Sequence, residues 1–277
     1  MEKSLKPHEI GVMFWADGDP VRTVEQLTSL GVRCGQMGIP GDLDLKCAPE
    51  WSRALAAASF RVYTVFAAFD GESYADIPAV QRTVGFTPRA TREEREKRMR
   101  GVIDFAAQIG APGVATHVGF VPDNVRDPDF IAVREMVRRI ADEAGHRNLT
   151  FALETGQETA EVLLEFIHDV NRDNVGINFD PANMILYGTG DPIEALGLVG
   201  EHVLSVHCKD GDPPAGENAL GEEKPLGEGS VGMERFLAAL RHAGYSGPLF
   251  IEREARDPEQ RLRDIKAGLE LLRRLSV

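Results

Sequence analysis

The chain has 277 residues, of which 43% are hydrophobic and 27% charged, a composition typical of a soluble globular protein and not of a disordered, collagen-like or coiled-coil chain. Acidic residues outnumber basic ones by 44 to 31, so the net charge is −13. Proteins that bind nucleic acids gain most of their affinity from clustered Lys and Arg. This charge therefore argues against nucleic acid as the main partner.

Neither the cysteines nor the hydrophobic runs indicate secretion or a membrane. Three cysteines without CxxC spacing are too few for a disulfide framework, which fits a reducing compartment. The apolar run at residues 10–16 ends at Asp17, too early for a signal peptide or a membrane span. We therefore expect a cytoplasmic protein with no membrane partner. The sequence leaves the oligomeric state open, a homo-oligomer included.

Short apolar runs alternate with longer amphipathic segments along the chain, which is the pattern of βα units. The predicted strands lie at residues 10–15, 32–37, 60–68, 113–118, 149–154, 174–180, 202–207 and 248–252. The predicted helices lie at residues 20–30, 49–58, 91–109, 128–144, 158–169, 191–199, 233–243 and 258–275. Eight such units with no break in composition predict one closed (β/α)₈ barrel, a single domain over residues 1–277. A GxGxxG directly after the first strand, typical of an open doubly wound sheet, is absent.

Local signals give the expected boundaries of some elements. Thr91, with a glutamate three residues later, predicts a capping box for the third helix, and Asp129 is a candidate cap for the fourth. The basic residues between positions 92 and 100 alternate with glutamates, so we expect a solvated helix face there. Residues 69–90 and 208–232 are expected to be irregular.

Four ionisable residues stand at the ends of predicted strands five to eight, each directly after an apolar run: Glu154, Asp180, His207 and Glu252. The carboxyl ends of barrel strands meet at one face, where active sites lie. Three carboxylates would repel one another in an empty pocket, and burying each is costly unless it is paired or bound to a metal. One strand-end carboxylate alone is typical of a helix cap or a surface ion pair, but four in successive strands predict a site for one divalent cation.

The donor set also indicates which cation is expected. Three carboxylates and an imidazole suit Mn²⁺ best, with Mg²⁺, Co²⁺ and Zn²⁺ as alternatives. Because side chains alternate along a strand, Cys208 points away from an ion bound by His207 and is expected to pack.

Several segments resemble the xylose isomerase-like TIM-barrel superfamily of sugar phosphate isomerases and epimerases: INFDPANMILYGTGDPIEAL, VLSVHCKDGD, PLGEGSVGMERFLAAL and YSGPLFIERE. The resemblance is strong over residues 149–254 and depends elsewhere on the barrel rhythm. These motifs are specific for the superfamily and do not select a substrate. Similar members use a Glu–Asp–His–Glu metal set, which falls on Glu154, Asp180, His207 and Glu252. In ketose 3-epimerases the two glutamates are also the acid/base pair.

The resemblance and the residue types together imply a metal-dependent isomerase or epimerase of a sugar or keto-polyol. A hydroxyketone would chelate the cation, and the cation would stabilise the enediolate formed when an α-proton is removed. We expect Glu154 to remove this proton and Glu252 to return it on the opposite face.

Five further residues are candidates for contact with the substrate: Trp15, His117, Asn183, Lys209 and Asp210. Trp15 would form an apolar wall, and His117 and Lys209 would bind hydroxyl groups or, for Lys209, a carboxylate. Asn183 would orient Asp180. A structural role is the alternative for each: core packing for Trp15, a buried histidine for His117, and a solvated loop pair for Lys209 with Asp210.

Two positions depart from the pattern of the ketose 3-epimerases. Those enzymes carry a His three residues after the metal Asp and an Arg six after the metal His, where this chain has Asn183 and Pro213. The HxKD run is closer to the inosose dehydratase, hydroxypyruvate isomerase-like and dehydroshikimate dehydratase branches. A metal-dependent dehydratase, a lyase in which the enediolate expels a β-hydroxyl, is therefore the first alternative.

Two more distant alternatives remain. An apurinic endonuclease-like barrel would need a trinuclear zinc cluster with several extra histidines, whereas only His117 and His207 lie at predicted carboxyl ends of strands. A non-catalytic sugar-binding barrel would not need all four metal ligands.

Overall fold

A computed structural model describes residues 8–216 and 218–275. Eight parallel strands form a closed barrel: β1 Ile10–Trp15, β2 Cys34–Ile39, β3 Arg61–Ala67, β4 Gly113–Thr116, β5 Thr150–Glu154, β6 Val175–Phe179, β7 Val203–Cys208 and β10 Leu249–Ile251. The barrel closes because β1 pairs in parallel with both β2 and β10. The predicted single-domain (β/α)₈ barrel is thus confirmed. A short antiparallel pair stands apart from it: β8 Asp210–Asp212 and β9 Glu222–Lys224.

Helices surround the barrel: α1 Pro20–Ser29, α2 Ala48–Ala57, α3 Ile77–Thr83, α4 Arg92–Ile109, α5 Pro128–Gly145, α6 Ala160–Val170, α7 Pro181–Tyr187, α8 Pro192–Val199, α9 Met233–His242 and α10 Pro258–Leu275. None of these helices is both long enough and apolar enough to cross a membrane.

The apolar side chains form two cores. The larger one lies between the strands and the surrounding helices and includes Cys208, which confirms that this cysteine packs. The smaller one consists of Met13, Phe66, Ala115 and Ala152. Strands covered on both faces must be apolar on both, which explains why they appear in the sequence as continuous apolar runs.

Polar residues also cross the inside of the barrel. The Gln36 amide Nε2 donates to Asn178 Oδ1 at 2.8 Å and also donates to the Ser205 hydroxyl. Gln36 lies on β2 and Asn178 on β6, which are not neighbours in the barrel, so their hydrogen bond must span its interior. All three side chains are buried.

Asp-Pro dipeptides begin five helices, α1, α5, α7, α8 and α10. Proline at the first helical position has its backbone φ already fixed, and the aspartate before it accepts a free N–H of the first turn. This corrects the expected cap of α5, because Pro128 makes Asp127 the cap, and its carboxylate accepts the N–H of Asp129 at 2.7 Å. Asp129 instead pairs with Arg89 and Arg92.

The capping box expected at Thr91 is also absent. The Thr91 side chain makes no hydrogen bond to the first turn of α4. A 3₁₀ turn over Arg89–Thr91 directs its hydroxyl to the Pro88 carbonyl instead.

The basic face expected on α4 is not fully solvated. Arg95 is 4% exposed and donates to the carbonyls of Thr83 and Gly85, and Arg98 donates to those of Pro40 and Leu43. These two arginines therefore bind the loops that follow β2 and β3.

The two stretches expected to be irregular contain short elements. Residues 69–90 include α3, and residues 208–232 include β8 and β9. Neither α3 nor α7, at seven residues each, has two full turns, so their apolar periodicity is too short to recognise in the sequence.

Candidate active site

The four predicted metal ligands converge at the carboxyl end of the barrel. Glu154 ends β5, Asp180 follows β6, His207 lies near the end of β7 and Glu252 follows β10. These strands are consecutive in the barrel, and all four side chains are buried. One ligand atom from each residue lies within 4.8 Å of the corresponding atoms of the other three. This cluster therefore has the composition and spacing of a site that could hold a divalent cation.

His207 Nδ1 stands at the centre of the carboxylates. It lies 3.3 Å from Glu154 Oε1, 3.3 Å from Glu252 Oε2 and 3.6 Å from Asp180 Oδ2. Both His207 Nδ1 and Asp180 Oδ2 are buried without a hydrogen-bond partner. Buried polar atoms are nearly always paired, so these two atoms indicate a missing ligand.

The other ring nitrogen of His207 is already engaged. Nε2 lies 2.7 Å from Gln36 Oε1, and because an amide oxygen can only accept, Nε2 must carry the proton and donate it. In the neutral ring this leaves a lone pair on Nδ1, facing three carboxylates. The arrangement requires a positive charge at that position, either a proton on Nδ1 or a metal cation. The four residues fit a divalent cation for this reason.

The ionisation of the cluster reflects the same crowding. Burial works against the charged form of His207, but the charges of Glu252 and Glu154 outweigh it and raise its pKa well above the usual value. Burial raises the pKa of Asp180 to about 6. Burial also opposes ionisation of Glu252, yet the nearby charges of Lys209 and His207 hold its pKa well below the usual range.

Two amides fix Glu154. Asn178 Nδ2 donates to its Oε2 at 3.0 Å, and Asn183 Nδ2 donates to its Oε1 at 3.0 Å. We expected Asn183 to orient Asp180, and its backbone N–H does donate to Asp180 Oδ1 at 2.9 Å as part of the cap of α7. The side-chain amide of Asn183 instead binds Glu154, the neighbouring candidate ligand.

Lys209 is buried and is not part of a solvated pair. Its Nζ lies 3.1 Å from Glu252 Oε2 and 3.2 Å from Glu254 Oε2. Burial would lower its pKa, but these carboxylates raise the pKa well above the usual value, so the ammonium group stays charged. Glu254 thus also takes part in the site.

Asp210 has a different position from the one we expected. Its carboxylate accepts the backbone N–H groups of Gly211 at 2.9 Å, Gly227 at 2.9 Å and Val231 at 3.1 Å. These bonds occupy the carboxylate in holding the loop before α9, and Asp210 does not line the cavity. We therefore no longer count it among the candidate substrate contacts.

A cavity of about 520 Å³ opens above the cluster and is lined by Glu154, Glu252 and Lys209. Trp15 and His117, two of the predicted substrate contacts, also line it. The volume suits a monosaccharide-sized ligand.

The walls of the cavity combine aromatic and polar groups. The Trp15 ring packs over Gly38, where an added Cβ would lie 2.5 Å from the ring, so only glycine fits beneath it. His117 Nδ1 lies 3.2 Å from Gln157 Nε2, and the same amide donates to the Tyr187 hydroxyl at 3.2 Å. His117 Nε2 is 3.9 Å from Glu154 Oε1 and faces the candidate metal site.

Sequence reasoning missed three buried polar residues next to the candidate ligands: Gln36, Asn178 and Ser205. Asn178 lies two residues before Asp180, and Ser205 two before His207, so the period of two places them on the same inner face. That signal was available in the sequence. Gln36 had no comparable signal, because its role depends on the closure that brings β2 opposite β6.

Comparison with known proteins identifies the family. The sequence profile of the family described as xylose isomerase-like TIM barrel matches residues 24–275. The chain belongs to this family. A xylose isomerase domain protein from Planctomyces limnophilus is 43% identical, with a TM-score of 0.91 over 98% of both chains.

Two other proteins that are similar to this chain have lower sequence identity. A xylose isomerase-like TIM barrel protein from Mycobacterium smegmatis, in complex with magnesium, shares the fold with a TM-score of 0.72 at 19% identity, over 97% of this chain and 96% of that chain. The L-ribulose-5-phosphate 3-epimerase UlaE of Salmonella typhi is 26% identical over 175 residues. That match spans 61% of this xylose isomerase-like chain and 59% of the length of UlaE.

Proposed function

We propose that this chain is a divalent metal-dependent isomerase or epimerase of a sugar or keto-polyol. The observation that carries the proposal is the unpartnered, buried His207 Nδ1 in contact distance of three carboxylates, at the end of the barrel where a sugar-sized cavity opens. The likeness to the epimerase UlaE supports the same class of reaction.

Glu154, Asp180, His207 and Glu252 would hold the cation, with Mn²⁺ as the preferred ion of this oxygen-rich set. When bound, it supplies a Lewis acid that polarises a substrate carbonyl. Asn178 and Asn183 donate to the two oxygens of Glu154, and Lys209 donates to Oε2 of Glu252. Both glutamates are therefore held by the protein's own hydrogen bonds before any substrate enters.

The two glutamates have the positions needed for proton transfer at a substrate carbon. Glu154 and Glu252 approach His207 Nδ1 from β5 and from the end of β10, which lie on opposite sides of β6 and β7. Glu154 would remove the α-proton, leaving an enediolate, and Glu252 would return a proton on the other face. Return at the same carbon gives epimerisation, and return at the neighbouring carbon gives isomerisation.

Deuterium uptake from solvent tests this chemistry directly. We expect ketoses or keto-inositols to exchange their α-hydrogen in the presence of the protein and Mn²⁺, and not after chelation. Glu154→Gln and Glu252→Gln should each reduce turnover by about 10²-fold or more, because the amide cannot accept a proton. Glu161→Gln, the same change on an exposed position of α6, is the matched control.

The outcomes separate the alternatives. If Glu154→Gln exchanges at the wild-type rate while Glu252→Gln does not, the roles of the two glutamates are reversed. If neither change affects exchange, the acid/base pair is wrong. Loss of water from the substrate, in place of a changed stereocentre, would assign the chain to the dehydratase alternative.

A further inference from the structure

The cavity is strongly acidic. Its lining includes five carboxylates: Asp76, Glu154, Glu223, Glu252 and Glu254. Among the lining residues that the structure describes, Lys209 is the single Lys or Arg side chain. These lining charges limit which substrate charges the cavity can accept.

Lys209 is not available to an incoming anion. An ammonium group has three N–H donors. Those of Lys209 have the oxygens of Glu252, Glu254 and Asn183 within 3.1, 3.2 and 3.5 Å. The side chain is also buried, so an anion would have to displace one of these carboxylates.

Three backbone N–H groups in the loop after β7 are also occupied. In barrels of this fold, phosphate groups are frequently held by backbone N–H groups in the loops after the seventh and eighth strands. Here three such N–H groups, of Gly211, Gly227 and Val231, point at the carboxylate of Asp210. These three donors are therefore not available to an incoming phosphate.

The guanidinium group of Arg253, the residue after Glu252, is likewise paired. Arg253 contacts Glu223 at 2.9 Å and Asp264 at 2.9 Å. If a divalent cation and Lys209 balance the three ligand carboxylates, and Arg253 balances Glu223, then Glu254 and Asp76 remain without compensation. The mouth of the cavity stays negative even with the metal bound.

We propose that the substrate is an uncharged polyol carbonyl compound, and not a phosphate ester or a carboxylate. This inference depends on the proposed function and narrows it. Hydroxyl groups can donate to Glu223 and Glu254, while the C–H faces of a sugar can pack on Trp15 and Tyr74. A phosphate dianion would lose its hydration without gaining a free cation, and Glu254 would repel it.

Tryptophan fluorescence measures binding in the cavity without turnover. The chain has two tryptophans, and Trp51 is fully buried in the core, so a ligand in the cavity acts on Trp15. The Mg²⁺-loaded protein would be titrated with matched probes: D-fructose and its 6-phosphate, a keto-inositol, and inorganic phosphate. Trp15→Phe should abolish the fluorescence change, which would show that the signal comes from the cavity.

We expect the neutral probes to bind at least about tenfold more tightly than the phosphate ester and inorganic phosphate. Glu254→Gln should reduce this preference for the neutral probes, because it removes one repelling charge beside Lys209. Glu259→Gln, an exposed position on α10, is the matched control and should leave the preference unchanged. The inference is overturned if the ester binds as tightly as its neutral partner, or if every neutral probe fails to bind.

Deuterium exchange distinguishes this result from the proposed function. Neutral probes that bind but never exchange would reject the enolisation chemistry and leave the charge selectivity intact. Exchange with a higher kcat/KM for phosphate esters would support the chemistry and reject the charge selectivity.

Discussion

Each nitrogen of His207 has a distinct task. Nδ1 faces the carboxylates, whereas Nε2 donates to Gln36 Oε1 at 2.7 Å and so fixes both the tautomer and the ring orientation. Partners of this kind, one bond away from a ligand, typically change metal affinity by about 10- to 100-fold when they are removed. Gln36 is fully buried, and it reaches His207 from β2, a strand that supplies none of the four candidate ligands.

We therefore predict that Gln36→Leu, which keeps the volume but removes the acceptor, weakens binding of Mn²⁺ by about 10-fold or more. Titration calorimetry on the protein stripped of metal measures this. Gln26→Leu makes the same change on an exposed position of α1 and should have no effect. Ser205→Ala is a second control, because it removes another member of the same network that does not contact His207. Unchanged Mn²⁺ affinity in Gln36→Leu would contradict the role of Gln36. An equal loss of affinity in Ser205→Ala would show that the effect does not depend on the bond to His207.

The candidate ligands could be predicted from the sequence because each of them ends an apolar run at the same place in a repeating unit. Glu154, for example, is the first charged residue after four apolar or β-branched positions. Gln36 and Lys209 could not be predicted in the same way. Their roles arise from residues more than 40 positions away in the chain, such as Glu252 for Lys209.

At the scale of elements, the pair β8–β9 is an addition to the barrel that forms one wall of the cavity. Glu223 on β9 accepts the backbone N–H of Glu254 at 2.9 and 3.2 Å and pairs with Arg253 at 2.9 Å. The N–H of Gly221 donates to the Leu186 carbonyl at 2.8 Å. The hairpin is therefore attached both to the end of β10 and to α7.

We predict that Glu223→Ala loosens this hairpin while the barrel remains folded. Amide hydrogen exchange of β8 and β9 should become at least about tenfold faster, because local opening no longer breaks the bonds to Glu254 and Arg253. Exchange in β5 and β6 should be unchanged. Glu222→Ala alters the adjacent, largely exposed residue and is the control. Equal protection of the hairpin in both variants would show that Glu223 does not hold it.

The sequence did not predict this hairpin for a physical reason. Its two strands have three residues each, too few for a period of two to appear, and Glu222–Lys224 is entirely charged. The helix α7 is also short, with seven residues or just under two turns, although its Asp-Pro start was a usable signal. The short elements that form the walls of the cavity are therefore the hardest to predict from the sequence.

At the scale of the whole molecule, the closed barrel was predictable because it depends on eight repeats of the same signal. The charge of the cavity was not predictable, because it is the sum of side chains from loops distributed over the chain, from Asp76 to Glu254. The family resemblance indicated the candidate metal ligands but left the substrate open. The arrangement of charges in the structure is the basis of the proposed selectivity for uncharged substrates.

One buried carboxyl group links the loops after β4 and β5 and makes stability depend on pH. Glu158 is 8% exposed, and its Oε1 accepts the backbone N–H of Val121 at 3.2 Å. Burial raises its pKa to about 8 from the ordinary glutamate value of 4.5, despite this hydrogen bond. Between these two values the folded state holds a proton that the unfolded state has released.

The sign of the effect follows from that difference. A group whose pKa is raised on folding contributes its full stability below its unfolded pKa and loses it as the pH rises through the folded pKa. The stability of the wild type should therefore fall between about pH 4.5 and pH 8 relative to a variant without this proton. At pH 7 the cost to the wild type is about 3 kcal/mol.

We predict that Glu158→Gln removes this cost, because the amide oxygen can still accept the N–H of Val121 and nothing ionises. Urea unfolding of the metal-free protein should show the variant about 3 kcal/mol more stable than the wild type at pH 7, and nearly equal to it at pH 4.5. Other groups that titrate in this range contribute to both proteins and cancel in the difference. Glu161→Gln, on the exposed face of α6, should leave the profile unchanged. Parallel stability profiles for wild type and Glu158→Gln would mean that Glu158 is ionised in the folded protein.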